Sequence, residues 1–164
     1  FVAGGSQFAG TDRAFNDEEL AADEFGSCVP GTGIIEIPAY ISPIAVAFNL
    51  KDVDSLNLSA PVIADIFSGK IKKWNDPKIA ADNKGVDLPD TKITPVNRSD
   101  ESGTTANFQD YLKEAAGDAW PHEPSKEFPG DGEGAAKTSG VVNVVSSTEY
   151  TIGYADASAI GGLN

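Results

Sequence analysis

A polar turn at residues 98–105 constrains this chain most, because it joins a strand to a helix. Residues 94–96 read as the end of a strand, and Ser102 occupies the position of a helix N-cap. Apolar side chains then recur at helical spacing in Phe108, Tyr111, Leu112 and Ala115. The sequence therefore predicts a strand, a short turn and an amphipathic helix that begins just after Ser102.

The residues of this turn suit an anion site. Gly103, Thr104 and Thr105 fill the first helical turn, where backbone N–H groups and the positive end of the helix dipole point outward. Arg98 adds a planar fork of donors for two oxygens of one oxyanion, and Asp100 is placed to hold that fork. An ordinary turn with a solvated arginine is the alternative, but these residues together with the Ser102 cap favour the anion site.

Four motifs resemble the phosphate-binding proteins that feed phosphate ABC transporters, and they occur in the family's order. They are Ala9-Gly10-Thr11-Asp12, the segment 66–76 (IFSGKIKKWND), the segment 98–105 (RSDESGTT) followed by Phe108 and Tyr111-Leu112, and Ile152-Gly153-Tyr154. The order of strands and helices predicts an α/β fold with a mixed central sheet flanked by helices. The resemblance makes this one lobe of a type II periplasmic-binding-protein fold.

The resemblance also implies a domain organisation. Residues 1–37 would belong to the first lobe and a crossover, 38–152 would form the second lobe, and 153–164 would return to the first lobe. Family members are longer, so by this resemblance the chain would correspond to a middle portion without the family's two N-terminal phosphate loops. Its partner would be the remainder of the same protein, and an uncovered apolar face would otherwise favour self-association.

Inorganic phosphate is the ligand that the resemblance implies. The matching residues are Arg98, Ser102, Gly103, Thr104 and Asp12, with Asp100, Thr11 and Thr105 in support. Asp12 would accept a hydrogen bond from protonated phosphate, although its sequence context alone indicates only a surface turn. Glu101 replaces the glycine common before Ser-Gly-Thr, and its carboxylate would weaken anion binding if it faced the site.

Because the family's members are exported, the resemblance implies a periplasmic or cell-surface location, with a lipid anchor as one alternative. It also implies a transmembrane permease as a partner. The chain begins without Met and shows no signal peptide or apolar run long enough to cross a bilayer.

Charge and composition limit the other functions. Twelve Lys and Arg residues against 25 Asp and Glu residues give a net charge of -13, which argues against a nucleic-acid surface and a polybasic membrane patch. Exposed charges are screened beyond about 8 to 10 Å, so local N–H and O–H dipoles must bind the anion. Cys28 is the single cysteine, so we expect no internal disulfide and no thiolate metal site. We expect no cofactor.

Three alternatives remain. The site could serve sulfate or molybdate, the chain could be an interaction module, or Ser102 or Thr104 could be the nucleophile of a phosphohydrolase. The enzyme lacks a plausible base, because the only histidine, His122, lies in a separate loop, and no nucleophile elbow or phosphate loop is present. The sequence therefore favours a binding protein over an enzyme.

Periodicity and turn residues predict the remaining elements. Strands are expected at 7–12, 34–37, 44–49 and 151–154. Helices are expected from Asn16 to about Phe25, from Ser59 to Gly69, at 77–81, and after Ser139 and Gly140. Trp74 is expected to be a packing anchor, and residues 117–134 a surface loop.

Overall fold

Four strands form one mixed sheet in the computed structural model, which describes residues 1–161. The strands are β1 (Ile44–Phe48), β2 (Thr94–Arg98), β3 (Glu133–Ala135) and β4 (Thr151–Asp156), in the spatial order β1-β4-β2-β3. β1 is antiparallel to β4, whereas β2 is parallel to both β4 and β3. The predicted α/β class with a mixed central sheet is confirmed.

Helices cover both faces of this sheet. The main core lies between the sheet and the helices α2 (Ala60–Phe67) and α4 (Gly103–Ala116), and a smaller cluster lies under α5 (Lys137–Ser147). Helices α3 (Pro77–Asp82) and α6 (Ala157–Ile160) and a single 3-10 turn at Gly117–Ala119 complete residues 42–161. The edge strand β1 is partly buried along its whole length, which fits its near-continuous apolar character.

Gly153 and Tyr154 on β4 serve opposite faces of the sheet, because successive strand residues point to alternate sides. A Cβ at Gly153 would lie 3.0 Å from side-chain atoms of Val141 and Val145, so glycine lets α5 approach the sheet closely. The Tyr154 ring stacks on Phe108 of α4 with ring centroids 4.3 Å apart. This dipeptide therefore fixes the spacing of both helices.

Trp74 is fully buried, and its indole N–H donates to the Tyr150 carbonyl at 3.3 Å. The predicted role of a packing anchor is confirmed. Helix α3 begins after Asp76, which accepts a hydrogen bond from the Lys78 amide. Ser59 occupies the N-cap position of α2 as predicted, but its hydroxyl bonds Asp82 instead of capping the helix.

The chain divides into two compact units, Phe1–Ile41 and the part that begins at Ser42. The first unit contains α1 (Asp17–Ala22), whose capping box joins Asn16 and Glu19. This helix ends before the predicted Phe25. Gly26 packs closely against the start of the chain, because its N–H donates to the Val2 carbonyl at 2.9 Å and a Cβ there would crowd that same oxygen.

Two predicted strands of the first unit are wrong. Residues 7–12 and 34–37 are irregular, and no strand forms within residues 1–41. Ile35 and Ile37 are 88% and 79% exposed. Their β-branched side chains suit a strand, but a strand also needs a hydrogen-bonding neighbour, and these residues pair with none in this unit.

The predicted start of α5 is also wrong. Ser139 and Gly140 do not cap this helix, which begins at Lys137 and follows Ala136 as its N-cap. The Lys137 N–H instead donates to Asp100 Oδ1 at 3.0 Å. A carboxylate 37 residues away in sequence therefore stabilises the helix terminus, by a hydrogen bond and by the helix dipole.

Candidate functional site

Helix α4 begins at the predicted position. The Ser102 hydroxyl accepts a hydrogen bond from the Thr105 amide at 3.3 Å, and the Ser102 carbonyl accepts one from the Ala106 amide at 3.1 Å. The Ser102 N–H donates to the Lys126 carbonyl at 3.0 Å, which ties the cap to the loop after α4. The predicted Ser102 N-cap is confirmed.

Arg98 and Asp100 form a two-pronged ion pair beside this terminus. Arg98 Nε donates to Asp100 Oδ1 at 2.8 Å, and Nη2 donates to Oδ2 at 2.5 Å. The Arg98 hydrogen bonds, and then the Lys137 amide, hold the pKa of Asp100 well below its usual range. Because Asp100 stays ionised, it fixes the plane of the guanidinium at the end of β2.

Arg98 Nη1 lies on the opposite edge of the guanidinium from this pairing edge. It donates to Thr138 Oγ1 on α5 over a long 3.4 Å contact. The Arg98 side chain is 12% exposed, so its solvation is already much reduced. A weakly hydrated and orientated guanidinium suits a tetrahedral oxyanion, because two parallel N–H groups match two of its oxygens.

A buried pair of hydroxyl groups joins β4 to Arg98 and to the first turn of α4. Tyr154 Oη and Thr105 Oγ1 lie 2.7 Å apart, and Tyr154 Oη also accepts a hydrogen bond from the Arg98 amide at 3.4 Å. Burial is the largest influence on the Tyr154 hydroxyl and raises its pKa. The hydroxyl is therefore neutral and can link Arg98 to α4.

Six of the predicted residues come together in the second unit, namely Arg98, Asp100, Ser102, Gly103, Thr104 and Thr105. Thr104 and Thr105 are 2% and 0% exposed. Thr11 and Asp12 belong to the first unit, where both are exposed. Glu101 is exposed and borders a cavity of about 470 Å³ that Arg98 also lines.

The loop after α4 is bound to the helix by three consecutive carbonyl groups. Gln109 Nε2 donates to the carbonyls of Ser125 and Glu127 at 2.7 and 3.0 Å, and the Ser102 amide takes the Lys126 carbonyl between them. Gln109 is fully buried. Nothing in the sequence indicated this, because a polar residue on an amphipathic helix is expected on the exposed face. This clamp holds the N-cap in place.

Sequence reasoning gave no structural role to Tyr154 or Thr138 either. The strand predicted at 151–154 contained the signal for Tyr154, because its alternation places this residue on the same face as the buried Ile152. Thr138 had no such signal, because its contact with Arg98 joins residues 40 positions apart.

Within residues 1–161, no group of three or more His, Cys, Asp or Glu side chains has a geometry suited to a metal ion. His122 packs against Trp120, with ring centroids 5.0 Å apart, in the loop predicted to contain it. Within the same residues, no helix is both long and apolar enough to cross a bilayer.

Comparison with known proteins gives relatives along most of the chain. The phosphate-binding protein PstS 3 of Mycobacterium tuberculosis is 43% identical over 157 residues, which cover 93% of this chain and 42% of that protein. PstS2 of Mycobacterium bovis is 39% identical over 155 residues, covering 94% and 42%. The resemblance predicted from the four motifs is confirmed, and the chain spans about 42% of the length of these relatives.

Solved structures confirm the fold. A phosphate-binding protein from Stenotrophomonas maltophilia superposes with a TM-score of 0.74 at 21% identity, covering 94% of this chain and 46% of that one. A high-affinity periplasmic phosphate-binding protein, PfluDING, superposes with a TM-score of 0.70 at 24% identity, covering 88% and 40%. The model of the family described as "PBP superfamily domain" matches residues 1–162, and the chain therefore belongs to this family.

Proposed function

We propose that this chain forms part of a protein that binds inorganic phosphate and delivers it to the permease of an ABC transporter. The observation that carries the proposal is the Arg98–Asp100 pair beside the N-terminus of α4. Relatives named phosphate-binding proteins support the choice of phosphate over other oxyanions. The relatives are binding proteins rather than enzymes by name.

The ligand contacts follow from the donors present. Arg98 would bind two phosphate oxygens through its guanidinium, while the first-turn amides of Gly103 and Thr104 and the Ser102 hydroxyl donate to others. Thr105 and Asp100 would act in support, since their side chains bond Tyr154 and Arg98. Asp12 is proposed to accept a hydrogen bond from protonated phosphate, with Thr11 in support.

The domain assignment and location belong to the same proposal. Residues 1–37 would form part of a first lobe, 38–152 a second lobe, and 153–164 a return segment, of which 162–164 lie outside the described residues. The complete protein would act outside the cytoplasm, in the periplasm or at the cell surface. The related PfluDING protein is itself described as periplasmic.

A phosphohydrolase has weaker support than a binding protein. The Ser102 hydroxyl already accepts a hydrogen bond from the Thr105 amide, which assigns it a capping role. A serine nucleophile also needs a base within hydrogen-bonding reach, and His122 packs on Trp120 in a different loop. We therefore propose retention of phosphate without turnover.

Calorimetry on the full-length protein tests this function. Phosphate should bind with one site, sulfate and molybdate should compete poorly, and p-nitrophenyl phosphate should not be hydrolysed. Arg98→Ala should abolish or strongly weaken the phosphate signal. A wild-type protein without phosphate affinity, or with steady release of nitrophenol, would overturn the proposal.

A further inference from the structure

We propose that Tyr154 positions the phosphate site by coupling Arg98 to the first turn of α4, an inference that rests on the function proposed above. The hydroxyl accepts from the Arg98 amide and pairs with Thr105 Oγ1. It thus hydrogen-bonds both to Arg98 at the end of β2 and to Thr105 in the first turn of α4. Tyr154 itself is 1% exposed, and we do not propose that it contacts phosphate.

Hydrogen-bond direction can be worked out along this chain of groups. The Arg98 amide can only donate, so Tyr154 Oη is its acceptor. The phenolic hydrogen is then best used toward Thr105 Oγ1, since this leaves no Tyr154 hydrogen without an acceptor. The Thr105 amide meanwhile donates to Ser102 Oγ. One continuous series of hydrogen bonds therefore runs through four residues, in the order Arg98, Tyr154, Thr105 and Ser102.

The Tyr154 ring is fixed as firmly as its hydroxyl. It stacks on Phe108 with an interplanar angle of 15°, and it meets the Phe67 ring edge-on at 5.9 Å. Gly153 lets α5 pack against the other face of the same strand. A ring held on this rigid element fixes the hydroxyl, so the separation between Arg98 and α4 has little freedom.

Preorganisation is the expected consequence. A phosphate ion needs the guanidinium and the first-turn donors at one fixed separation, and any freedom between them must be lost on binding. The hydroxyl pair removes that freedom beforehand. Losing it should weaken phosphate binding about three- to tenfold, the size expected for one hydrogen bond.

Three variants of the full-length protein separate this role from simple stability. Tyr154→Phe keeps the stacked ring and removes the hydroxyl, while Thr105→Val keeps the shape and removes the other partner. Each single change leaves one buried hydroxyl without its partner and should lower the melting temperature. The double variant leaves neither hydroxyl unpaired, although the Arg98 amide still loses its 3.4 Å acceptor, so its melting temperature should recover part of the way toward wild type.

Phosphate affinity should behave differently. If the hydroxyl pair positions the site, the double variant should be more thermally stable than either single variant while its phosphate affinity stays about three- to tenfold weaker than wild type. Thr105→Ser, which keeps the hydroxyl, should restore affinity. Tyr111→Phe is the matched control, because Tyr111 lies on α4 but is 50% exposed, and it should change neither measurement.

Each outcome has one meaning. Wild-type affinity in the double variant would overturn the positioning role and leave the proposed phosphate function intact. Affinity that follows the melting temperature through all the variants would likewise assign Tyr154 to stability alone. A wild-type protein that binds no phosphate would overturn the proposed function, and this inference with it.

Discussion

Asp100 accepts hydrogen bonds from two nitrogens of Arg98, and it also accepts the Lys137 amide at 3.0 Å. One carboxylate thus orientates the arginine of the candidate site and caps the helix α5 packed against β2. Position and charge are set together, because any movement of Asp100 would break its bonds to both Arg98 and the start of α5. The candidate site is therefore tied to the position of α5.

Arg98→Lys should weaken phosphate binding by about 2 to 3 kcal/mol, since a lysine cannot reproduce two parallel N–H groups. Arg13→Lys is the matched control. Arg13 also pairs with a carboxylate, since its Nη2 lies 2.8 Å from both oxygens of Glu19, but it lies outside the predicted ligand set. Calorimetry at low salt measures both. An Arg98→Lys variant that binds phosphate within twofold of wild type would contradict the bidentate role.

Asp100 should make stability depend on acidity in a defined window. Its pKa is lowered in the folded state from the ordinary 3.8, so its contribution is fully present above that pH. The contribution is lost as pH falls through the folded-state pKa. The urea midpoints of wild type and Asp100→Asn should differ by a constant amount from about pH 5 to 7. Their difference should begin to shrink below about pH 4 and vanish only below the folded-state pKa.

The urea midpoints of wild type and Asp100→Asn would behave differently if Asp100 were unpaired in solution. The two midpoints would then already coincide at neutral pH. An increase in their difference on acidification would also contradict the ion pair, because a protonated Asp100 and an asparagine are alike in charge.

Ser102→Ala should destabilise the protein by about 0.5 to 2 kcal/mol, because the Thr105 amide loses its acceptor at the helix N-terminus. Ser59→Ala is a strict control, since Ser59 occupies an N-cap position without capping and its hydroxyl bonds the exposed Asp82 instead. Its change should stay within about 0.5 kcal/mol. Denaturant unfolding compares the two, and equal losses would remove the capping role.

Gly153→Ala should cost about 1 to 3 kcal/mol, because its Cβ would meet Val141 and Val145 at 3.0 Å. Gly140→Ala on α5 should be neutral or stabilising by up to about 1 kcal/mol, since a Cβ there meets Ala135 at an ordinary 3.5 Å and alanine favours the helix. Thermal unfolding separates them. Opposite signs are expected, and a stabilised Gly153 variant would refute the close approach.

The second unit was predictable where local pattern and burial agreed. Helix α4 and its Ser102 cap follow from adjacent residues, and Trp74 is buried beside an apolar helix as expected. The start of α5 was not predictable, because its capping carboxylate comes from Asp100 on another segment. Gln109 shows the same limit, since its bonds reach carbonyl groups 16 and 18 residues away.

Residues 34–37 illustrate the opposite error. Their composition is that of a strand, and Ile35 is 88% exposed in irregular backbone. Strand propensity measures how well a side chain packs on a pleated surface, so it has little force without a neighbouring strand. Among the proposed ligand residues, those within 98–105 could be grouped from sequence because they are close together in the chain. Asp12 is distant in sequence, so local pattern could not group it with them.

Asp12→Asn tests anion selectivity in the full-length protein. Phosphate near neutral pH retains a proton and can donate to a carboxylate, whereas sulfate is fully ionised and would place its lone pairs against that charge. A site built to accept a ligand O–H can reject an analogue without it by about 10⁴-fold. The asparagine amide can donate instead, so phosphate binding should stay within about tenfold while sulfate binding improves markedly. Competition titrations decide it, and an unchanged phosphate-to-sulfate ratio would exclude Asp12 from the site.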